Sequence, residues 1–381
     1  MKINKWTLGL AAVGLVTLGS TANAEEKLSV LQTALSSTTL SGYVDASAIW
    51  RAGTGGGAGP GRLYDVNSTG ISKQDGFNLN VVSLTLDKPL DEGQWSAGYH
   101  VQTLIGPDAQ GRGTGLTQPT GANNGIALHE AYIALRAPVG NGLDLKFGQF
   151  VTFVGYEAFD SYKNPNYSRS YGFFIEPSAH VGGTASYVFA DWVNAMVGVG
   201  NSTSPTIDAK GAVESRKTYL AIVNFTAPES FGFLKGSTLS VGYDNGQANG
   251  SFATTQNLYI GGTIATPVAG LAVGLAYDYQ SVGGTSWANA FAVYLSFQAS
   301  EKLKLNGRID YAKSSTGVFY PGGNDNQLLA FTFTADYSLW ENVVTRAELR
   351  WDKSVGGDAP FASTTGSTQS LTAALNVIYK F

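Results

Sequence analysis

Apolar and polar residues alternate one by one along much of the chain. Segment 303–311 reads LKLNGRIDY, in which the odd positions are mainly apolar and the even positions carry the charges. Successive side chains of a β-strand point to opposite faces, so this pattern predicts a strand with one apolar and one polar face. Four further segments show the same alternation, and in all five every charged residue has the polar parity: 271–280, 329–339, 343–352 and 371–381.

The same pattern, followed along the whole chain, predicts sixteen strands. Most are about ten residues long, which is enough to span a bilayer when a strand is tilted. The second strand is the least regular, because its apolar parity changes at Val81–Val82, and this indicates a β-bulge or an incorrect boundary. The predicted strands lie near 40–50, 76–87, 94–105, 126–137, 143–150, 180–189, 192–200, 217–226, 237–245, 257–266, 271–280, 288–298, 303–312, 328–339, 343–352 and 369–381.

The connections between these strands alternate between short and long. Short ones carry turn residues, as in Pro138–Gly142 and Trp340–Asn342. Long ones are rich in Gly, Ser and Asn, and short turns at one end with long loops at the other are typical of an outer-membrane barrel. The prediction is an all-β fold, a transmembrane antiparallel up-and-down β-barrel of about sixteen strands. The long loops span 51–75, 106–125, 151–179, 201–216, 246–256, 281–287, 313–327 and 353–368.

A large secreted β-sandwich or β-solenoid is the alternative, since its strands would alternate too. That fold would place the apolar parity inside and the charges outside. It explains neither the alternating connection lengths nor the final strand. In lipid the sheet must close into a barrel, because unpaired strand edges are too costly there. The apolar parity then faces outer-membrane lipid, where charged side chains are costly, and the polar parity faces the interior.

Composition supports a membrane environment. Of 381 residues only 14% are charged, whereas 12% are aromatic and 48 are Gly. A soluble chain usually has about 25% charged residues and about 7% Gly. The net charge of −4 disfavours a nucleic-acid partner, and the absence of Cys excludes disulfides and thiolate chemistry.

The N-terminus has the features of a secretory signal. Lys2 and Lys5 precede an apolar stretch from Trp6 to Gly19, and Ala22–Ala24 supplies a small-x-small cleavage site. We therefore expect a signal peptide at 1–24, a periplasmic N-terminal segment at 25–39 and a barrel at 40–381 in the bacterial outer membrane. An uncleaved membrane anchor is the alternative, although the apolar stretch is short for a transmembrane helix.

The last predicted strand ends in an aromatic residue. Leu375, Val377, Tyr379 and Phe381 form an apolar every-other-residue pattern that ends the sequence. This resembles the C-terminal signal through which the barrel-assembly machinery recognises outer-membrane barrels, and it identifies that machinery as an expected partner. The alternative is that the final strand simply ends in an aromatic.

Three stretches resemble the OmpL-like family of β-barrel porins. They are FNLNVVSLTLDKPLDEGQWSAGYHVQTLIGPDA at 77–109, IALHEAYIALRAPVGNGLDLKFGQF at 126–150 and GYEAFDSYKNPNYSRSYGFFIEPSAHVG at 155–182, and SGYVDAS at 41–47 is similar too. The resemblance implies an outer-membrane barrel and a pore, and porin resemblance also suggests a homotrimer. It transfers no functional residue by position.

The third long loop, 151–179, is the longest and contains eight Tyr and Phe residues. A loop surrounded by water would not need so many aromatics, so we expect it to fold inward, as the third loop of general porins does, and to narrow the pore. An extracellular cap or a subunit-contact loop is the alternative. The candidate constriction residues are Glu157, Asp160, Lys163, Arg169 and Glu176.

Charged residues of polar parity are candidates for the pore wall. We hypothesise that Arg308, Arg346 and Arg350 form a basic strip that faces Glu157 and Asp160 across the constriction, where the resulting field would set ion preference. The alternative is a set of charges that pair with one another inside a wide lumen. The candidate wall residues are Lys146, Lys304, Arg308, Arg346, Glu348 and Arg350.

A water-filled channel for passive diffusion of small hydrophilic solutes and ions is the function these features favour. A plugged barrel that serves as a structural or adhesive surface protein is the alternative. No HExxH or GxSxG motif occurs, so an enzyme is not expected, although a barrel lipase or protease with one of the three His remains an alternative. No metal site or cofactor is predicted.

Overall fold

The computed structural model describes residues 37–52, 73, 75–92, 95–109, 114–117, 123–207, 209–320, 325–361 and 367–381. The expected signal peptide, 1–24, lies outside these residues, as does 25–36 of the expected N-terminal segment. Among the described residues, no helix is both long and apolar enough to cross a bilayer.

The described residues form a closed, all-antiparallel β-barrel of sixteen wall strands, and one further short strand pairs with this wall. Each wall strand pairs with the next along the chain, and the pairing of the first strand with the last closes the wall. The strands are β1 Thr39–Ala52, β2 Gly76–Lys88, β3 Ser96–Ile105, β4 Thr114–Thr117, β5 Asn123–Ala137, β6 Leu143–Val151, β7 Ala179–Ala190, β8 Val193–Gly200, β9 Thr218–Thr226, β10 Thr238–Gln247, β11 Thr254–Ala265, β12 Leu271–Val282, β13 Ser286–Gln298, β14 Leu303–Ser315, β15 Asp325–Trp340, β16 Val343–Ser354 and β17 Gln369–Lys380.

Sixteen of these strands confirm the predicted ones. The predicted and observed strand boundaries differ by at most three residues. For example, β11 begins at Thr254 instead of 257, and β14 ends at Ser315 instead of 312. The short β4 was not predicted. It pairs with the beginning of β5 and is an addition to the wall, because β3 pairs directly with β5. A four-residue strand leaves too few positions for alternation to be visible.

Alternate residues of the wall strands are buried and exposed. In β14, Arg308 and Asp310 are 2% and 1% exposed, whereas Ile309 and Tyr311 are 44% and 36% exposed. The apolar parity therefore lies on the outer surface and the polar parity on the opposite face. The sandwich or solenoid alternative is wrong, because a single sheet closes on itself and leaves its apolar side chains outside.

Two irregular positions change the parity of a strand. Asp45 pairs with Val81 and Ala46 with Leu79, so Asn80 is an extra residue in β2 and explains the irregular second strand. In the same way Gln102 pairs with Glu130 and Thr103 with Leu128, which leaves His129 as an extra residue in β5. Asn80 and His129 are both buried.

The seam between β1 and β17 is continuous from Tyr43–Lys380 to Ala52–Leu371. Beyond the end of β17, the backbone of Phe381 exchanges two hydrogen bonds of 2.9 and 3.0 Å with Gly42. On the polar face, the Asn376 amide donates to the Asp45 carboxylate at 2.6 Å. Side-chain and backbone hydrogen bonds thus join the two ends of the wall.

Candidate functional site

The third long loop lies between β6 and β7 and packs against the polar face of the wall. It contains one 3₁₀ turn, Ser161–Lys163, and one short helix, α1, Gly172–Ile175. The Asn164 side chain closes the first half of the loop, because its amide oxygen accepts from the Ala158 N–H at 2.7 Å and its amide nitrogen donates to the Ala158 carbonyl at 2.7 Å. The loop is therefore held by its own polar residues as well as by the wall.

Arg308 on β14 makes the densest set of contacts with the loop. Its guanidinium donates to the Glu157 carboxylate at 2.9 Å, to the Ser168 carbonyl at 2.8 Å and to the Arg169 carbonyl at 3.0 Å. A further hydrogen bond of 3.0 Å joins it to Asp310 on its own strand. One buried wall side chain thus binds both halves of the loop.

The other two arginines of the predicted strip also bind loop carbonyl groups. Arg346 donates to the Ser161 carbonyl at 2.8 Å and pairs with Asp336 at 2.9 Å. Arg350 donates to the Arg169 carbonyl at 2.6 Å and pairs with Asp352 at 2.8 Å.

Glu348 complements these arginines as an acceptor. One of its carboxylate oxygens accepts from the Tyr167 N–H at 2.6 Å and the other from the Ser168 N–H at 3.0 Å. The Thr334 hydroxyl donates to the same carboxylate at 2.7 Å. Charge-assisted hydrogen bonds of this kind are stronger than neutral ones, so Glu348 fixes the backbone of the loop to β16.

Asp160 anchors the loop further along the wall, against β1 and β3. Its carboxylate accepts from the Tyr43 hydroxyl at 3.0 Å and from the Gln102 amide at 3.1 Å, and Lys163 lies 2.7 Å away. Burial by itself raises the pKa of Asp160, but the charge of Lys163 and the hydrogen bonds from Lys163 and Tyr43 outweigh it and hold the pKa at about 2. The carboxylate is therefore ionised at any physiological pH.

This geometry differs from the expected strip that faces Glu157 and Asp160 across an opening. Glu157 touches Arg308 directly, and Asp160 pairs with Lys163 of the loop itself. The alternative of paired charges describes Arg308, Arg346 and Arg350 better. The reason is physical, because a guanidinium stays charged when it is buried, and the cost of burying that charge is high unless acceptors surround it.

The remaining predicted residues are spread over the loop and the wall. Arg169 is buried and donates to the Phe159 carbonyl at 2.6 Å. Glu176 is partly exposed and hydrogen-bonds with the Asp278 side chain on β12. Lys304 is half-buried and lies opposite Asp336 in the register of β14 and β15.

A cavity of about 270 Å³ remains between the loop and the wall formed by β3, β5, β6, β7 and β8. Glu157, Asp160, Lys163 and Glu176 border it from the loop and its flanks, and Lys146 borders it from the wall. The structure therefore brings four of the five predicted constriction residues together with one predicted wall residue. Arg308, Arg346, Glu348 and Arg350 instead attach the loop to the opposite part of the wall.

Several residues that shape this site were not among the predicted site residues. Tyr132 and Glu130 on β5 and Gln102 on β3 border the cavity, and Tyr43 on β1 holds Asp160. The polar parity of β5 indicates that Glu130 and Tyr132 share a face. Parity gives no signal, however, that this part of the wall would border the open side of the loop.

The predicted assembly residues lie on the outer face of β17. Leu375, Val377 and Tyr379 are all about half exposed, as the apolar parity of the strand requires. The Phe381 side chain extends toward Gly42, where an added Cβ would lie 2.8 Å from its ring, so the glycine leaves room for this ring. Among the described residues, no cluster of three or more His, Asp or Glu side chains is placed to hold a metal ion.

Comparisons with known proteins agree with this architecture. A family model described as "Putative beta-barrel porin-2, OmpL-like" matches residues 37–381. An anion-selective porin from Comamonas acidovorans is similar in structure, with a TM-score of 0.59 at 12% identity over 91% of this chain and 99% of that one. No curated protein matches the chain in sequence.

Two further solved structures share the fold. OmpF of Salmonella typhi in complex with daunomycin gives a TM-score of 0.60 at 13% identity over 90% of this chain and 97% of that one. The trimer form of OmpT from Vibrio cholerae gives a TM-score of 0.58 at 12% identity over 90% and 99%. At such low identity these structures establish the architecture of the barrel.

Proposed function

Because the chain belongs to the OmpL-like family of β-barrel porins, we propose that it forms a water-filled channel for passive diffusion of small hydrophilic solutes and ions. The family places it in the bacterial outer membrane and indicates a channel rather than an enzyme. One observation carries the proposal: a closed sixteen-strand wall turns its polar parity inward and holds a long loop against that face. A barrel of this size is wide enough to enclose water.

The loop narrows the channel from one side. Arg308, Arg346 and Glu348 attach it to β14–β16, and the cavity of about 270 Å³ lies beside β5–β8. Solutes therefore pass between the loop and that part of the wall. The arginines hold the constriction in place, whereas Lys146, Lys163, Glu130 and Glu176 face the passage and set its charge.

A single-channel recording tests this proposal. The purified, folded protein inserted into a planar bilayer is expected to give unitary current steps. A matched pair of variants then locates the selective charges: Lys146→Gln shifts the reversal potential toward cations, and Lys304→Gln, outside the cavity lining, leaves it nearly unchanged. An equal shift for both variants would mean that the passage has been assigned to the wrong part of the lumen.

A plugged barrel is the second candidate, and the density of loop contacts favours it. The loop hydrogen-bonds with side chains of β1, β3, β11, β12, β14, β15 and β16. If folded protein inserts into the bilayer, as shown by protease protection, and gives no current steps, the protein is a plugged surface barrel.

The proposal also includes export, barrel assembly and the oligomeric state. A signal peptide at 1–24 directs secretion, and the outer face of β17 with Phe381 recruits the barrel-assembly machinery. The trimer form of OmpT supports a homotrimer for this chain as well. Cross-linking followed by mass measurement in detergent distinguishes a trimer from a monomer.

A further inference from the structure

The cavity beside the loop is lined by aromatic rings. Tyr132, Phe150, Phe153, Phe159 and Phe173 all border it, and the Phe150 and Phe153 rings stack with their centroids 5.6 Å apart. An apolar cavity of about 150 Å³ binds a benzene molecule. The volume here, about 270 Å³, is therefore sufficient for a single ring with a substituent.

Two of the four carboxylates in this lining pair with a cation at short distance. Glu157 pairs with Arg308 at 2.9 Å, and Asp160 pairs with Lys163 at 2.7 Å. Glu176 hydrogen-bonds with Asp278. The Glu130 carboxylate lies 3.8 Å from a ring nitrogen of His100 and accepts from the Val151 N–H at 3.5 Å. The remaining cation of the lining is acted on electrostatically by Glu130, Asp144 and Asp87, but none of these carboxylates reaches ion-pair distance from it.

That cation is Lys146. Its ammonium group donates to the Tyr132 hydroxyl at 3.3 Å and lies 4.4 Å from the centroid of the same ring. Within the described part of the chain, no carboxylate oxygen lies within 4.0 Å of it. An ammonium group has three N–H donors, and the Tyr132 hydroxyl accepts from one of them, so a solute carboxylate can accept from the others in a strong charge-assisted hydrogen bond.

We propose that this cavity is a binding site for small organic carboxylates that have a single flat apolar ring. The solute carboxylate binds Lys146, and the ring packs among Phe150, Phe153 and Phe173. The inference rests on the proposed channel function and adds a solute class to it. A channel with such a site selects for ring-bearing carboxylates over inorganic anions of equal charge, because aromatic surfaces stabilise the ring.

Block of single-channel current by benzoate tests this inference. Three comparison solutes separate the contributions: acetate has the charge without the ring, benzyl alcohol has the ring without the charge, and anilinium at acid pH has the opposite charge. Benzoate is expected to block the current transiently, at concentrations at least tenfold below those at which any of the three has an effect.

Two variants assign the site. Lys146→Gln is expected to weaken benzoate block by about tenfold or more, because a hydrogen bond to a charged group is lost. The matched control Lys304→Gln removes a lumen ammonium group outside the lining and leaves the block unchanged. Phe153→Ala is expected to weaken block by benzoate while it leaves any block by acetate unaltered.

The outcomes separate this inference from the channel itself. Current steps without preferential benzoate block, or a block that Lys146→Gln leaves intact, would refute the site while the channel stands. Absence of current steps from folded, inserted protein would instead refute the channel, and benzoate binding would then be measured by calorimetry on the same protein. Heat of binding that disappears in Lys146→Gln would retain the site within a plugged barrel, and absence of heat would refute the site as well.

Discussion

Replacement of Arg308 by glutamine removes the wall side chain that binds both halves of the loop. The guanidinium is fully buried and contacts Glu157, the Ser168 carbonyl and the Arg169 carbonyl at distances between 2.8 and 3.0 Å. Arg308→Gln leaves the Glu157 carboxylate without its ion-pair partner, deprives the Ser168 carbonyl of its donor and leaves the Arg169 carbonyl with Arg350 alone. The loop remains covalently attached at both ends, so the expected consequence is detachment from the wall rather than loss of the barrel.

The magnitude follows from the burial of the ion pair. Breaking a buried pair by removing one partner costs about 3–5 kcal/mol. Since 1.4 kcal/mol corresponds to a factor of ten, the ratio of detached to attached loop is expected to rise roughly a hundredfold to several-thousand-fold. Asp310 loses its pairing with Arg308 whether the loop is attached or not, so the expected change in the ratio lies at the lower end of this range.

Two measurements report detachment of the loop. Single-channel records of Arg308→Gln are expected to show frequent high-conductance openings, and trypsin is expected to cleave after Lys163 and Arg169 much faster than in the wild type. The control is Arg136→Gln, because Arg136 forms a buried ion pair with Asp144 at 2.6 Å within the β5–β6 hairpin. Wild-type gating and cleavage in Arg308→Gln, or equal changes in both variants, would refute the anchoring role.

Three further predictions concern the loop and the seam. Glu348→Gln removes the charge that accepts hydrogen bonds from two loop N–H groups, and the free energy of loop attachment is expected to fall by about 1–3 kcal/mol. Trypsin is then expected to cleave faster after Arg169, and an unchanged cleavage rate would contradict this. The pKa of Asp160 lies at about 2, below the value of about 3.9 for a free carboxyl, so its stabilisation of the loop is complete above pH 4 and lost as the pH falls toward 2. Conductance is expected to change in that window in the wild type, and persistence of the same change in Asp160→Asn would contradict the assignment. Phe381→Ala keeps the backbone pairing with Gly42 but removes the ring. Barrel assembly is therefore expected to be slower, at nearly unchanged stability of the folded barrel, as measured by the heat-dependent shift in gel mobility. Wild-type assembly kinetics would argue against a role for the ring.

The wall could be predicted from the sequence because strand periodicity is a local property. Each strand shows its two faces within about ten residues, as the alternation around Arg308 and Ile309 illustrates. The bulge at Asn80 was visible for the same reason, as a change of parity. The bulge at His129 produced no comparable change, because apolar residues flank it on both parities.

The site could be predicted only as a collection of residues. Parity shows that Arg308 lies on the polar face, but its partner Glu157 is 151 positions away and belongs to a loop without periodicity. Which wall the loop binds is decided by side-chain complementarity across the lumen, where arginines meet loop carbonyl groups. Lys146 and Lys304 therefore appear equivalent in the sequence, although only Lys146 borders the cavity.

The seam between β1 and β17 determines the order in which the wall can be completed. Neighbouring strands elsewhere are consecutive hairpins, whereas Asp45 and Asn376 are 331 positions apart. Bringing such distant points together costs on the order of 5 kcal/mol of chain entropy, so this joint forms after the hairpins have shortened the gap. A sheet that is complete except for this joint has two bare edges, which lipid does not tolerate. Passage into the membrane and joining of the first strand to the last therefore form a single coupled event, and a weakened seam stalls the protein before insertion.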